Sequence, residues 1–131
     1  MAIARSLVNT RAFLCGGFLR RVARQLAKEF ITKWQVLHPE DTIIYRDLRK
    51  LPIPHVTEAW IDAAYTPKEA QTSEIASILQ FSDVLIDELL AVDRCVFSVP
   101  MYNFSMPSSF KAYIDYIVRF DRTFTVMDGH Q

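Results

Sequence analysis

The residue types best suited to chemistry fall in one short string, Met101, Tyr102, Asn103 and Phe104, set between Pro100 and Pro107. Aromatic and thioether groups suit the faces of a flat, amphipathic heterocycle, and an asparagine amide offers both a donor and an acceptor to an imide-like edge. Backbone N–H groups at the end of a strand add donors for ring acceptors. By composition alone, the same string serves equally well as an ordinary surface turn with apolar packing. The other polar candidates are weaker. Asp83, Asp87 and Glu88 cluster without a histidine or glycine loop beside them, so a solvated helix face is expected rather than a metal or acid–base site. His55 sits in a proline-bearing connector and reads as a solvated loop residue. Cys15 and Cys95 have no metal-like spacing and read as two buried thiols in a reducing compartment.

The elements that must position the string are legible from periodicity. Cys95-Val96-Phe97-Ser98-Val99 is a continuous apolar run, the mark of a central strand buried on both faces. Beyond the loop, Phe110, Tyr113, Ile114, Ile117, Val118 and Phe120 form the stripe of a last helix, with Lys111, Asp115 and Arg119 spaced by four on its other side. Upstream, Leu19, Val22, Leu26, Phe30 and Trp34 predict a helix from Phe18 to about Leu37, ended by His38-Pro39. Thr42-Ile43-Ile44-Tyr45 predicts a strand. Thr57, Trp60 and Ile61 mark a short helix. Thr66-Pro67-Lys68-Glu69 carries an N-cap, a first-turn proline and a capping-box glutamate, and predicts the start of a helix reaching Ala91. A helix alternating with strands in this way predicts parallel βαβ units, with ligands at the carboxyl ends of the strands.

Composition narrows the function. In 131 residues, 15 basic side chains balance 15 acidic ones, so no global field recruits nucleic acid or an anionic membrane. No run approaches the roughly 18 apolar residues of a membrane helix. A soluble, cytoplasmic protein of one domain, residues 1–131, is expected, with a small and partly apolar ligand. The opening is unusual: before Glu29 there is no acidic residue, while Arg5, Arg11, Arg20, Arg21, Arg24 and Lys28 are basic. Such a bias is shared with organelle transit peptides, but core-like helical periodicity already begins near Leu19.

These residues carry a resemblance. Asp41-Thr42-Ile43-Ile44-Tyr45-Arg46-Asp47-Leu48, then Pro54-His55-Val56-Thr57-Glu58-Ala59-Trp60, the 99–104 string, Lys111-Ala112-Tyr113-Ile114-Asp115 and Arg122-Thr123-Phe124 closely resemble the FMN-dependent NADH azoreductase and quinone oxidoreductase family, once called acyl carrier protein phosphodiesterases. The likeness runs over about residues 24–124. It implies an α/β fold, a flavodoxin-like doubly wound parallel sheet, and a homodimer that uses FMN, with NADH as electron donor and quinones or azo compounds as two-electron acceptors in a ping-pong cycle. Met101, Tyr102, Asn103 and Phe104 match the family's flavin-ring loop. The resemblance places the chemistry on the flavin and implies no catalytic side chain and no metal. Phosphodiesterase action would need a nucleophile or metal cluster that the sequence does not offer.

The departures matter too. Where the family holds the FMN phosphate with a serine-rich turn at a helix N-terminus, residues 15–23 here read Cys-Gly-Gly-Phe-Leu-Arg-Arg-Val-Ala. The expected first strand, residues 8–14, places Arg11 where a central strand is buried. Residues 1–20 are therefore atypical, and the abrupt onset of likeness suggests a shifted reading frame or a different start. The family's strands four and five have no counterpart, so the sheet is expected to be incomplete and to expose apolar surface. The alternative to an active reductase is a non-enzymatic remnant that binds FMN weakly or not at all and acts at most as an interaction module.

Overall fold

The computed structural model describes residues 11–16, 21–48 and 50–125. Three parallel strands form one sheet in the order β2-β1-β3, with β1 at Arg11–Gly16, β2 at Thr42–Asp47 and β3 at Arg94–Ser98. The pairing is in register: Gly16 lies opposite both Asp47 and Ser98, so all three carboxyl ends reach the same edge. The central strand is therefore β1. Arg11 lies opposite Thr42, and residues 8–10 of the 8–14 span expected from sequence lie outside the described residues. The continuous apolar run of β3 predicts a central strand buried on both faces. Among the described residues it is an edge strand instead, with Cys95, Phe97 and Val99 exposed and Val96 half-buried. Among the described residues no second strand pairs with its outer edge.

The helix α1 (Arg21–Leu37) follows the expected periodicity and ends where His38 and Pro39 interrupt it. Its lower end is clasped by one ring system. Trp34 stacks on Phe30 and His38, donates Nε1–H to Asp41 Oδ2 at 2.9 Å, and lies under the Arg94 guanidinium at 5.1 Å. That ties α1 to the starts of β2 and β3.

The helix α2 (Glu58–Tyr65) is capped by Thr57, whose hydroxyl accepts from the Trp60 N–H at 3.2 Å. Thr66 does not begin the next helix, contrary to its capping-box spacing. Its N–H closes α2 on the Ala63 carbonyl, a 3-10 turn occupies Lys68–Ala70, and α3 (Ser73–Leu90) starts behind Thr72, which accepts from the Ile75 N–H. The reason is packing: the apolar series that α3 buries begins only at Ile75. The last helix, α4 (Ser108–Ile117), stops short of Phe120. Thr123 Oγ1 donates to the Ile117 carbonyl at 2.7 Å and accepts from the Arg119 N–H at 2.9 Å, so a side chain replaces the next helical turn.

Arg119 accordingly leaves the Lys111–Asp115 pair, which does form, and turns inward. Buried, it donates to Ser82 Oγ at 3.0 Å and pairs with Asp83 at 2.9 Å. The carboxylates expected to be merely solvated are all engaged: Arg122 bridges Asp83 and Asp87, and Arg46 forks onto Glu88. Cys95 is exposed, not buried as expected, and partial burial pushes its thiol above the ordinary value, the opposite of an activated nucleophile. The side chain of Cys15 lies outside the described residues.

The core, with Leu79, Leu85, Ile86 and Tyr113 at its centre, lies between α2, α3, α4 and one face of the sheet. Leu85→Ala is expected to cost about 3 kcal/mol by removing fully buried methyl groups, whereas Val84→Ala, on the exposed side of the same helix, should stay within about 0.5 kcal/mol. Urea denaturation of the two variants checks the contrast.

Candidate functional site

Parallel pairing carries the chain to the site. Alternate residues of a strand point to opposite faces, and β3 shows this directly. Phe97 leans on Phe110 of α4 at 5.5 Å between ring centroids, whereas Ser98 Oγ donates to the Ala23 carbonyl of α1 at 3.1 Å. The helices α1 and α4 therefore lie on opposite faces. The chain leaves the sheet between them, at the β1/β3 boundary where the strand order reverses, which is the crevice that binds ligands in such sheets.

Beyond β3, a buried Pro100 and a buried Pro107 pin the two feet of the loop. Between them the backbone folds into a two-residue hairpin. Tyr102 N–H donates to the Ser105 carbonyl at 2.8 Å, and Ser105 N–H returns to the Tyr102 carbonyl at 2.9 Å. The residues at the tip, Asn103 and Phe104, both have positive φ, 46° and 65°, the arrangement of a type I′ turn. Asparagine tolerates this conformation; a bulky aromatic does so only at a cost of order 1–3 kcal/mol. The Phe104 ring at this tip is 97% exposed, and Met101, just before the hairpin, is 72% exposed. Tyr102 is half-buried.

All four residues singled out from sequence are thus held together at one strand end. The donor set fits a flat ring: apolar groups for its faces, an exposed amide for its edge. The phosphate half is different. Cys15 and Gly16, expected in the phosphate turn, belong to β1, and Val22 and Ala23 to α1, while residues 17–20 lie outside the described residues. Sequence reasoning missed Ser98 and Ser105, the two serines that brace the loop from either side. Ser105 had a signal in its separation from Tyr102, but without a glycine the Asn-Phe pair does not announce a hairpin. Among the described residues no group of histidine, cysteine, aspartate and glutamate could hold a metal ion, and no helix is long and apolar enough to cross a membrane.

Comparison with known proteins agrees with this geometry. The sequence profile described as flavodoxin-like fold matches residues 18–131. The chain belongs to the flavodoxin-like fold family. Within that family it is 59% identical over 104 residues to an FMN-dependent NADH:quinone oxidoreductase of Nostoc punctiforme, a match that covers 79% of this chain and 51% of the relative. A protein of the same name from Nostoc sp. is 56% identical over 107 residues, covering 82% and 52%. Among solved structures, an azoreductase from Bacillus anthracis superposes with a TM-score of 0.83 at 26% identity, over 91% of this chain and 60% of that one. The flavodoxin-like chain thus spans about half the length of the curated relatives it matches.

The strained tip makes a sharp expectation. Phe104→Gly should raise stability by about 1 kcal/mol, because glycine adopts the left-handed conformation without the aromatic's steric cost and the exposed ring loses little packing. Thermal unfolding measures the difference, and a loss of stability would show that the ring itself holds the turn.

Proposed function

We propose that the chain is the flavin-ring half of an FMN-dependent NAD(P)H oxidoreductase that reduces quinones and azo compounds, built as a single flavodoxin-like domain. The observation that carries this reading is the turn at Asn103 and Phe104, which holds an exposed aromatic, thioether and amide together at the β1/β3 crevice. The names of the relatives, FMN-dependent NADH:quinone oxidoreductases and an azoreductase, support it.

In this reading Phe104 and Met101 cover the faces of the isoalloxazine ring, and Asn103 addresses its edge as donor and acceptor. Tyr102 and Ser105 lock the hairpin so that these groups are in place before the ligand arrives, which lowers the ordering cost of binding. When bound, FMN supplies two-electron redox chemistry between NADH and the acceptor. The protein's own contribution is to position the ring, exclude water from it and leave one side open. Exposed Met101, Phe104 and Met106 form an apolar rim around the loop, which supports a homodimer closing over it; the compartment we propose is the cytoplasm.

Purified protein incubated with FMN and freed of excess is expected to be yellow, to bleach on anaerobic addition of NADH and to recover its colour on adding a quinone. Protein that stays colourless contradicts the reading. Asn103→Ala and Phe104→Gly should each weaken FMN binding about tenfold, equivalent to about 1.4 kcal/mol, measured by flavin fluorescence quenching. For Phe104→Gly the loss of affinity should accompany a gain in stability.

A further inference from the structure

The acid-free opening of the chain puts two cations where a helix ordinarily presents apolar groups. Ile44 packs on the core and Arg46 pairs with Glu88 of α3, so by strand alternation Tyr45 and Asp47 face the α1 side of the sheet. Arg24, Ala27, Lys28 and Ile31 recur at helical spacing along α1 and, with Tyr45 and Asp47, line a cleft of about 450 Å³. A helical stripe turned toward a sheet is normally apolar, and here two of its residues are charged. Among the described residues Arg46, Arg119 and Arg122 hold carboxylates and Arg94 lies over Trp34, whereas half-buried Arg24 and exposed Lys28 hold no carboxylate. Among the described residues lining the cleft the only carboxylate is Asp47, which makes an interaction of its own. A partly desolvated guanidinium in such a place gains most from a bound anion.

We propose that this cleft binds a phosphate monoester carried on a flat aromatic group, the chemistry of a nucleoside monophosphate. Arg24 and Lys28, one helical turn apart, receive the phosphate: the guanidinium forks onto two oxygens and the ammonium adds a point charge. The exposed ring of Tyr45 supplies a stacking face, and Ala27 and Ile31 an apolar wall beside it. Asp47 offers acceptor oxygens to sugar hydroxyls. The volume falls within the range of small-molecule sites, roughly 300–1,000 Å³. The chain carries no net charge, so the attraction is local to these two side chains. The site is separate from the flavin hairpin, because β2 and β3 stand on opposite sides of β1, roughly 10 Å apart, and no residue lines both.

The test titrates the isotopically labelled full chain with AMP, adenosine and inorganic phosphate while following backbone amides. The expected result is saturable shifts at residues 24–31 and 43–47, with AMP binding at least about tenfold tighter than adenosine or phosphate alone. Arg24→Gln with Lys28→Gln should bring AMP down to the level of adenosine, and Tyr45→Val should weaken AMP and adenosine alike by about fivefold. Added salt should weaken AMP and spare adenosine. If the double variant fails to fold, Lys28→Gln alone, at an exposed position, should still weaken AMP by about threefold. AMP binding no tighter than adenosine overturns the proposal, as does phosphate binding as tightly as AMP. Shifts from AMP centred on residues 101–105, or no shifts at all, overturn it too. FMN is titrated separately at the hairpin, so failure here leaves the flavin reading standing.

Discussion

The backbone pairing of β1 with both β2 and β3 is the constraint on which the rest depends. It brings Gly16, Asp47 and Ser98 level at one edge, and so decides that the loop after β3 opens beside the end of β1 and not elsewhere. The in-register, all-parallel arrangement also forces each connection over a face. That is why α1 and α4 flank the exit of β3 from opposite sides, and why the crevice between them exists at all.

Rigidity then passes outward from the core. Phe97 rests on Phe110 and Tyr113, which belong to the buried cluster, so the end of β3 is fixed from below. The far end of α4 is tied to α3 through Arg119, Ser82 and Asp83, and Ser82 also donates to the Tyr116 carbonyl at 2.6 Å. A buried guanidinium is tolerable here because a carboxylate and a hydroxyl oxygen accept its hydrogen bonds. Between these two anchored elements the 99–107 segment can carry a strained hairpin and exposed apolar side chains, as a binding loop on a rigid scaffold does.

Much of this was legible in the sequence where an element carries an apolar stripe at its own period. The helices α1, α2 and α4 and the strand β2 follow their apolar spacing, and two prolines frame the loop. Local signals misled where two candidates competed. Thr66 has the better capping box, but Thr72 stands next to the apolar series, and packing decided in its favour. Arg119 has the right spacing for a helix surface. Its fate was set by Thr123 and Ser82, which are distant in sequence or beyond the helix. The apolar run of β3 promised burial on both faces, and that promise depends on a neighbour that is absent from the described residues. The left-handed tip at Asn103 and Phe104 was not legible, because aromatic residues are rarely found there.

The central claim, that the hairpin after β3 recognises a flavin ring, is most directly tested by titrating isotopically labelled protein with FMN and following backbone amide resonances. Saturable shifts centred on residues 101–105, with smaller ones at the end of β1, are the predicted result. Shifts confined to other surfaces, or a spectrum unchanged by FMN, would contradict it.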